Sequence, residues 1–316
     1  MTRYVLGRVA QAVGVLWAVY TVTFAILNLL PSDPVALRLA AGNVQVEELS
    51  PAQLVAMKAQ YGLDKPLITQ YFDQLGGVLH GDFGASVSQN VPVARLIGER
   101  LPSTLVLGGT AVVLALLIGG VLAYLAAYVQ WRPLKMVLHR LPSIGVSLPP
   151  FFVGLLLIQV FAFSLGWFPP TGTLGWRSVV LPAVTMALPT AAMFAQVLGR
   201  GLEDALAEPY VTTARARGLS AWSVQLRHAL RNAALPALTL LGLLLGATVT
   251  EAVVAETVFT RPGLGQLAQQ AVLAQDVPVV QAVVIIAAAA FVVINLIVDL
   301  VYPLLDPRIT YTPRVS

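Results

Sequence analysis

An all-α membrane protein with six transmembrane helices and an extracytoplasmic insertion after the first helix is the fold class that this sequence predicts. Three observations point there. Hydrophobic residues make up 57% of the 316 residues and charged ones only 11%, with a mean hydropathy of +0.80; soluble domains carry roughly 25% charged residues. Six apolar stretches are each long enough to cross a hydrocarbon core of about 30 Å, which takes roughly 20 helical residues. Basic side chains gather in alternate connecting loops, as spans that run back and forth across one membrane require.

Taken in order, residues 1–30 hold the N-terminus and a first span near Val9–Leu30. Arg3 and Arg8 open it, and the apolar run continues without a small-residue cleavage site, so this span is expected to stay in place and not to be removed as a signal peptide. Residues 31–102 form the insertion. Its acids (Asp33, Glu47, Glu48, Asp64, Asp73, Asp82, Glu99) and bases (Arg38, Lys58, Lys65, Arg95, Arg100) set it apart from the rest of the chain. Ser50-Pro51 reads as a helix start, with Leu54, Met57 and Tyr61 on one face. Two turn-rich, aromatic-rich runs follow, Tyr61 to Leu67 and Gly81 to Ser86.

Residues 103–306 carry the other five spans, near Ser103–Val129, Leu141–Leu165, Val179–Leu198, Ala234–Thr257 and Val279–Tyr302, and residues 307–316 form a tail. Prolines 142, 149, 150, 182, 189 and 236 fall in or beside these spans, where neighbouring helices satisfy the carbonyls that proline frees. Gly119-Gly120 and Ala287 to Ala290 are expected to let helices approach closely. Arg132, Lys135 and Arg140 follow the second span, Arg200, Arg215, Arg217, Arg227 and Arg231 the fourth, and Arg308 and Arg314 the sixth. The short loops on the other side hold only Arg177 and Arg261. Both termini and the loop 200–233 are therefore expected in the cytoplasm.

Much chemistry is excluded. With no cysteine there are no disulfides or thiolate sites. No G-x-x-x-x-G-K-[ST] run exists, and Gly263-Leu264-Gly265 is followed by Gln266 and not by a phosphate-binding helix start, so the chain has no nucleotide loop of its own. His80, His139 and His228 fall on opposite sides of the membrane and make no common metal site, and no H-E-x-x-H or G-x-S-x-G pattern appears. The chain is expected not to be an enzyme by itself, nor to hold a metal or cofactor.

The most informative stretch is Ala207 to Pro236, a polar island in an apolar half. Gly218 divides it. Val211, Ala214 and Leu219 have helical spacing around the glycine, Ser220 can cap a second helix, and Trp222, Leu226, Ala229 and Leu230 share one face of it. Two short amphipathic helices joined at a glycine would offer a basic face to another protein, or lie on anionic headgroups with the same charges. Thr213-Ala214-Arg215-Ala216-Arg217-Gly218-Leu219 and Arg227-His228-Ala229-Leu230-Arg231-Asn232-Ala233-Ala234-Leu235-Pro236 resemble the coupling loop of importer-type ABC transporter permeases. The match is closest to the peptide/nickel subfamily, where the loop reads T-A-R-A-x-G-L and then R-H-A-L-x-N-A-L-L-P. The broader signature is met only in part, since Thr212-Thr213-Ala214 stands where it has E-A-A. Glu256-Thr257-Val258-Phe259-Thr260-Arg261-Pro262-Gly263-Leu264-Gly265-Gln266-Leu267 is similar to the subfamily's E-x-V-F-x-x-P-G-L-G-x-L run, and the ending from Asp299 to Arg308 is similar as well. The likeness runs from Leu30 to Arg308.

The resemblance implies the type I ABC importer fold and a role as first permease subunit for di- or oligopeptides; nickel chelates, haem, glutathione and sugars are carried by similar permeases. It implies a second permease subunit, two ABC ATPases that bind ATP and Mg, an extracytoplasmic substrate-binding protein and surrounding membrane lipid, and no nucleic acid. On this reading Thr213, Ala214, Arg215, Arg217, Gly218, Leu219, Trp222, Leu226, Arg227, His228 and Arg231 contact the ATPase. Glu251, Glu256, Phe259, Pro262 and Gly263 belong to the substrate pathway or its gate, with Glu251 meeting a cationic substrate group. A carboxylate within a span is costly, of order 2.5–3.5 kcal/mol at mid-membrane, so each needs a reason. For Glu256 and Asp299 that reason is equally a place at the headgroup level or an arginine of a neighbouring subunit. Asp64, Lys65, Asp82 and Phe83 belong to a scoop-like external segment that docks the binding protein or caps the spans. An ATP-independent secondary transporter would instead show inverted repeats, and no repeat at a fixed period is present.

Overall fold

A computed structural model of the chain describes residues 2–29, 65–173 and 175–305. The expected helix at Ser50-Pro51, the site residue Asp64 and the tail lie outside the described residues, as does the side chain of Asp299. Among the described residues all regular structure is helical, in two compact units: up to Thr104 with Pro262–Val292, and Leu105–Arg261 with Val293 onward.

The first unit starts with α1 (Thr2–Leu29) and α2 (Leu67–Leu79). Tyr20 and Phe24 of α1 meet Tyr71 of α2 through their rings, and the Tyr20 hydroxyl donates to the Tyr71 carbonyl at 2.8 Å. The start of α3 (Val93–Tyr128) supplies Val93, Leu96 and Ile97 to a core completed by Leu264 and Leu267 of α10 (Leu264–Leu273) and by Val279 and Val283 of α11 (Val277–Leu305). The amide of Leu264, first in α10, donates to Thr104 Oγ1 at 2.8 Å.

One buried carboxylate ties this unit together. Asp276, in the turn between α10 and α11, is fully buried. It accepts from Ser86 Oγ at 2.5 Å, Ser88 Oγ at 2.7 Å, Ser88 N at 3.0 Å and Val87 N at 3.1 Å. Burial alone would raise its pKa, but these donors outweigh burial and hold the carboxyl below its ordinary value of 3.8. The sequence pattern gave no sign of this contact, which links residues nearly two hundred positions apart.

The second unit is built round α6 (Arg177–Ala207), whose small residues Ala183, Ala187, Ala191, Ala195 and Gly199 are buried. Packed against it are α9 (Leu230–Val258), α4 (Arg132–Ser147) and α5 (Pro150–Leu157), which continues as a π-helix over Ile158–Ser164. Close approach is visible at Gly119 of α3, where a methyl group would stand 2.6 Å from the Ala191 carbonyl oxygen. That is backbone, which cannot swing away. The expectation holds for Gly119 and not for Gly120, which has nothing within 4 Å; Ala287 to Ala290 are only partly buried.

Among the described residues five helices are long and apolar enough to cross a membrane, and the spans expected at Val9–Leu30, Ser103–Val129, Val179–Leu198, Ala234–Thr257 and Val279–Tyr302 correspond to them. The third differs. Instead of one span over Leu141–Leu165, α4 and α5 meet at Leu148-Pro149 with a bend of 104°, so the count reaches six when this pair is one broken span. Proline restricts the residue before it to extended backbone, and Leu148 has ψ 128°, which ends α4.

Because Asp276 is more acidic folded than unfolded, its contribution to stability is present above about pH 3.8 and is lost as pH falls through the lower folded value. Asp276→Asn is expected to lower stability at neutral pH by about 1–3 kcal/mol and to remove that part of the acid dependence. Thermal melts of the purified protein from neutral pH to below pH 4 check both; an unchanged melt at neutral pH would contradict the clamp.

A basic elbow and a buried carboxylate pair

The polar stretch forms two short helices, as its spacing predicts. The first, α7 (Pro209–Ala216), ends at Gly218, which has φ +81°. Gly218 N donates to the Arg215 carbonyl and Leu219 N to the Ala214 carbonyl, the paired bonds of a helix C-terminus that needs a left-handed residue. Glycine takes that conformation without strain. Ser220 then caps α8 (Ala221–Ser223), accepting from Ser223 N at 3.3 Å.

The face presented by α8 differs from expectation. Trp222, Leu226, Ala229 and Leu230 share one face at α-helical spacing, and the structure separates them: Trp222 is exposed and Ala229 buried. The helix instead widens into a π-helix over Val224–Ala229, and the residues turned inward are Val224, Gln225 and Ala229. A π turn adds a residue to each loop of backbone and so rotates every later side chain relative to an α pattern. Trp222 is left 56% exposed, with its ring edge-on to Tyr124 of α3 at 5.0 Å. Gln225 is buried and its Nε2 donates to the Tyr124 carbonyl at 3.0 Å. Tyr124 and Gln225 are the members of this site that the sequence did not single out; a glutamine interrupting an apolar stripe was the available signal.

Arg215, Arg217, Arg227, His228 and Arg231 are all exposed, as is Thr213. Among the described residues none of these cations forms an ion pair. Lys135 of α4 does, with Glu203 of α6 at 3.2 Å, and His139 lies at the same distance from that carboxylate.

In α9, Glu251 is partly buried, with Oε2 enclosed and without a hydrogen-bond partner. Glu256, one and a half turns on, is fully buried and acts on the Arg261 guanidinium of its own chain. Glu256 thus has a cationic neighbour within its own chain. Burial pushes the Arg261 group down from its ordinary range and Glu256 offsets part of that. The chain turns at Phe259-Thr260, where Thr260 has φ +48°, and not at Pro262-Gly263 as the dipeptide suggests; Gly263 is extended. Arg261 N donates to the Glu256 carbonyl at 2.8 Å and closes the helix end. Phe259 is buried against Ile158 and Leu181. So Glu256, Phe259 and Arg261 are brought together, while Glu251 stands apart from them.

Of the proposed docking residues, Lys65 pairs with Asp73 at 2.6 Å and both are half exposed. Asp82 is exposed and its Oδ1 accepts from Gly84 N at 2.9 Å. Phe83 is partly buried on the core of the first unit, which makes it as much a packing residue as a surface one.

A helical bundle of crossing spans, carrying a basic elbow and no nucleotide loop, defines a multi-pass membrane permease. The sequence matches the family of binding-protein-dependent transport system inner membrane components over residues 103–311, and that family's N-terminal region over residues 1–108, and the chain belongs to this family. It is a permease subunit of an ABC importer, as its resemblance implied. It is 38% identical over 98% of its length to the whole of the glutathione transport system permease protein GsiC of Salmonella choleraesuis, and 37% identical to GsiC of Escherichia coli K12 over the same share. It is also 36% identical, over 98% of the chain and all of the relative, to a protein provisionally named a peptide transport system permease in Brucella suis. Among solved structures, an inward-facing form of the MetNI methionine ABC transporter shares the fold, with a TM-score of 0.54 at 17% identity over 66% of this chain and 96% of that one.

Proposed function

We propose that this chain forms, with a second permease subunit, the pathway by which an ATP-driven importer moves short peptides inward. The observation that carries it is the elbow: two short helices and the turn into α9 with four exposed arginines, Arg215, Arg217, Arg227 and Arg231, that form no ion pair among the described residues, fastened to a membrane span through Gln225 and Trp222. Exposed arginines on a rigid, amphipathic mount suit a separate protein with carboxylates at matching places. Two cytoplasmic ATPases that bind ATP and Mg are that partner, and their closure is carried through the elbow to α3. Trp222, Leu219 and Leu226 fill an apolar cleft on the ATPase while Arg215, Arg217, Arg227 and Arg231 pair with its acids.

The positive-inside pattern supports cytoplasmic termini and an elbow on that side. An extracytoplasmic binding protein delivers substrate to the surface around Asp64, Lys65 and Asp82. Glu251 lines the pathway and meets the α-amine of the peptide, and the Glu256–Phe259 turn, with Pro262 and Gly263 beyond it, forms the outer gate. The relatives named for glutathione, a tripeptide, favour a short peptide as cargo over a metal chelate or sugar.

Gly218→Pro and Trp222→Glu are each expected to abolish uptake while insertion into the membrane stays normal, measured as peptide uptake in cells beside the amount of chain in the membrane fraction. Normal uptake by either variant would remove the elbow from the mechanism. Glu251→Gln is expected to raise the KM for peptides with a free α-amine by about tenfold, the loss of roughly 1.4 kcal/mol of a charge-assisted contact, and to leave N-acetylated peptides unaffected. Equal effects on both substrates would make Glu251 structural.

A further inference from the structure

The broken third span leaves α4 packed on α6 along one side, with the rest of its surface exposed. If α5 and its π-helical continuation cross the membrane, the 104° bend lays α4 close to the bilayer plane. The crossing part, Pro150–Ser164, reaches only about 22 Å at 1.5 Å per residue, less than the roughly 30 Å of a hydrocarbon core. The adjoining residues, the end of α4 on one side and 165–168 on the other, must therefore complete the crossing.

The surface of α4 falls into three strips. Lys135, Leu138, Pro142 and Gly145 recur at i, i+3, i+7 and i+10 and turn to α6: Lys135 pairs with Glu203, Pro142 is buried, and a methyl group on Gly145 would stand 3.0 Å from Ala192 Cβ. Leu134, Val137, Leu141 and Ile144 repeat the same spacing one position earlier and are all exposed, at 39%, 54%, 44% and 58%. Beyond them lie Arg132, Arg140, Ser143 and Ser147, exposed and without an acid among them, with exposed Met136 between the two arginines. Trp131, 68% exposed, stands at the head of the helix.

An apolar strip beside a basic strip, begun by a tryptophan, fits one surface in particular. Acyl chains take the leucine and isoleucine side chains, phosphates take the guanidiniums, and the indole sits between. A second protein subunit would have to meet the basic strip with acids, and water would leave the apolar strip bare. We propose that α4 is an interfacial helix seated on the anionic cytoplasmic leaflet, with Val137, Leu141 and Ile144 at the acyl boundary and Arg132 and Arg140 holding phospholipid phosphates. The inference rests on the spans and their orientation and is independent of how the elbow works.

The chain has no cysteine, which makes single labelling sites clean. In the assembled importer in nanodiscs, nitroxides at Val137→Cys and Ile144→Cys are expected to relax faster with oxygen than with a water-soluble nickel chelate, and a nitroxide at Ser143→Cys to show the reverse. Nickel accessibility at the first two sites would place the helix in water and overturn the proposal. Protection from both reagents would show a protein cover and overturn it equally. Importer extracted from membranes containing phosphatidylglycerol should retain about threefold less of that lipid when Arg132→Gln and Arg140→Gln are combined, with total lipid unchanged; equal retention would overturn the phosphate contacts while leaving peptide uptake to test the importer reading separately.

Discussion

A polar, basic element has to be held against an apolar bundle, and one buried hydrogen bond fixes where it sits, beside the apolar packing of Ala229 and Ala233. Gln225 reaches from the π-helical part of the elbow to the Tyr124 carbonyl in α3, with Val224 and Ala229 buried on either side of it. A helix carbonyl has a second lone pair, so α3 keeps its own ladder while accepting this bond. The amide donor is sheltered from water, where leaving it unsatisfied would cost about 1–3 kcal/mol. Trp222 adds a ring contact on the same tyrosine but remains half open to the outside. The elbow thus has one fastened side and one free side, and the free side carries the cations.

What the elbow is fastened to is stiff for a different reason. Helices in lipid gain little from burying apolar area against each other, so their association depends on close contact. Here α6 supplies that contact with a row of alanines and a glycine, and Gly119 lets α3 approach the Ala191 carbonyl directly. In the other unit the same end is reached by a polar device, the Asp276 carboxylate and its serine donors. Each unit uses the interaction that its surroundings make strong.

Much of this was legible in the residues. Long apolar runs give the spans because lipid permits few alternatives. Gly218 and Ser220 mark the elbow through local rules of helix ends. Three features were not legible. The bend between α4 and α5 interrupts an apolar run that length alone reads as one span. The π-helix separates residues that an α-helical wheel puts on one face, so that Ala229 is buried with Val224 and Gln225 while Trp222 is exposed. The pairing of Glu256 with Arg261 depends on a turn at Thr260, a β-branched residue in a left-handed conformation that sequence rules disfavour. All three are departures from regular backbone, where local preference yields to packing.

The central claim is that movement of a partner reaches the spans through the fastened side of the elbow. The most direct test is the amount of peptide transported per ATP hydrolysed by the complete importer in sealed vesicles, compared between the native chain and Gln225→Leu. The account predicts that hydrolysis continues while transport per ATP falls severalfold, since a leucine fills the space but cannot bond to Tyr124. An unchanged ratio, with hydrolysis and transport both at native levels, would contradict it.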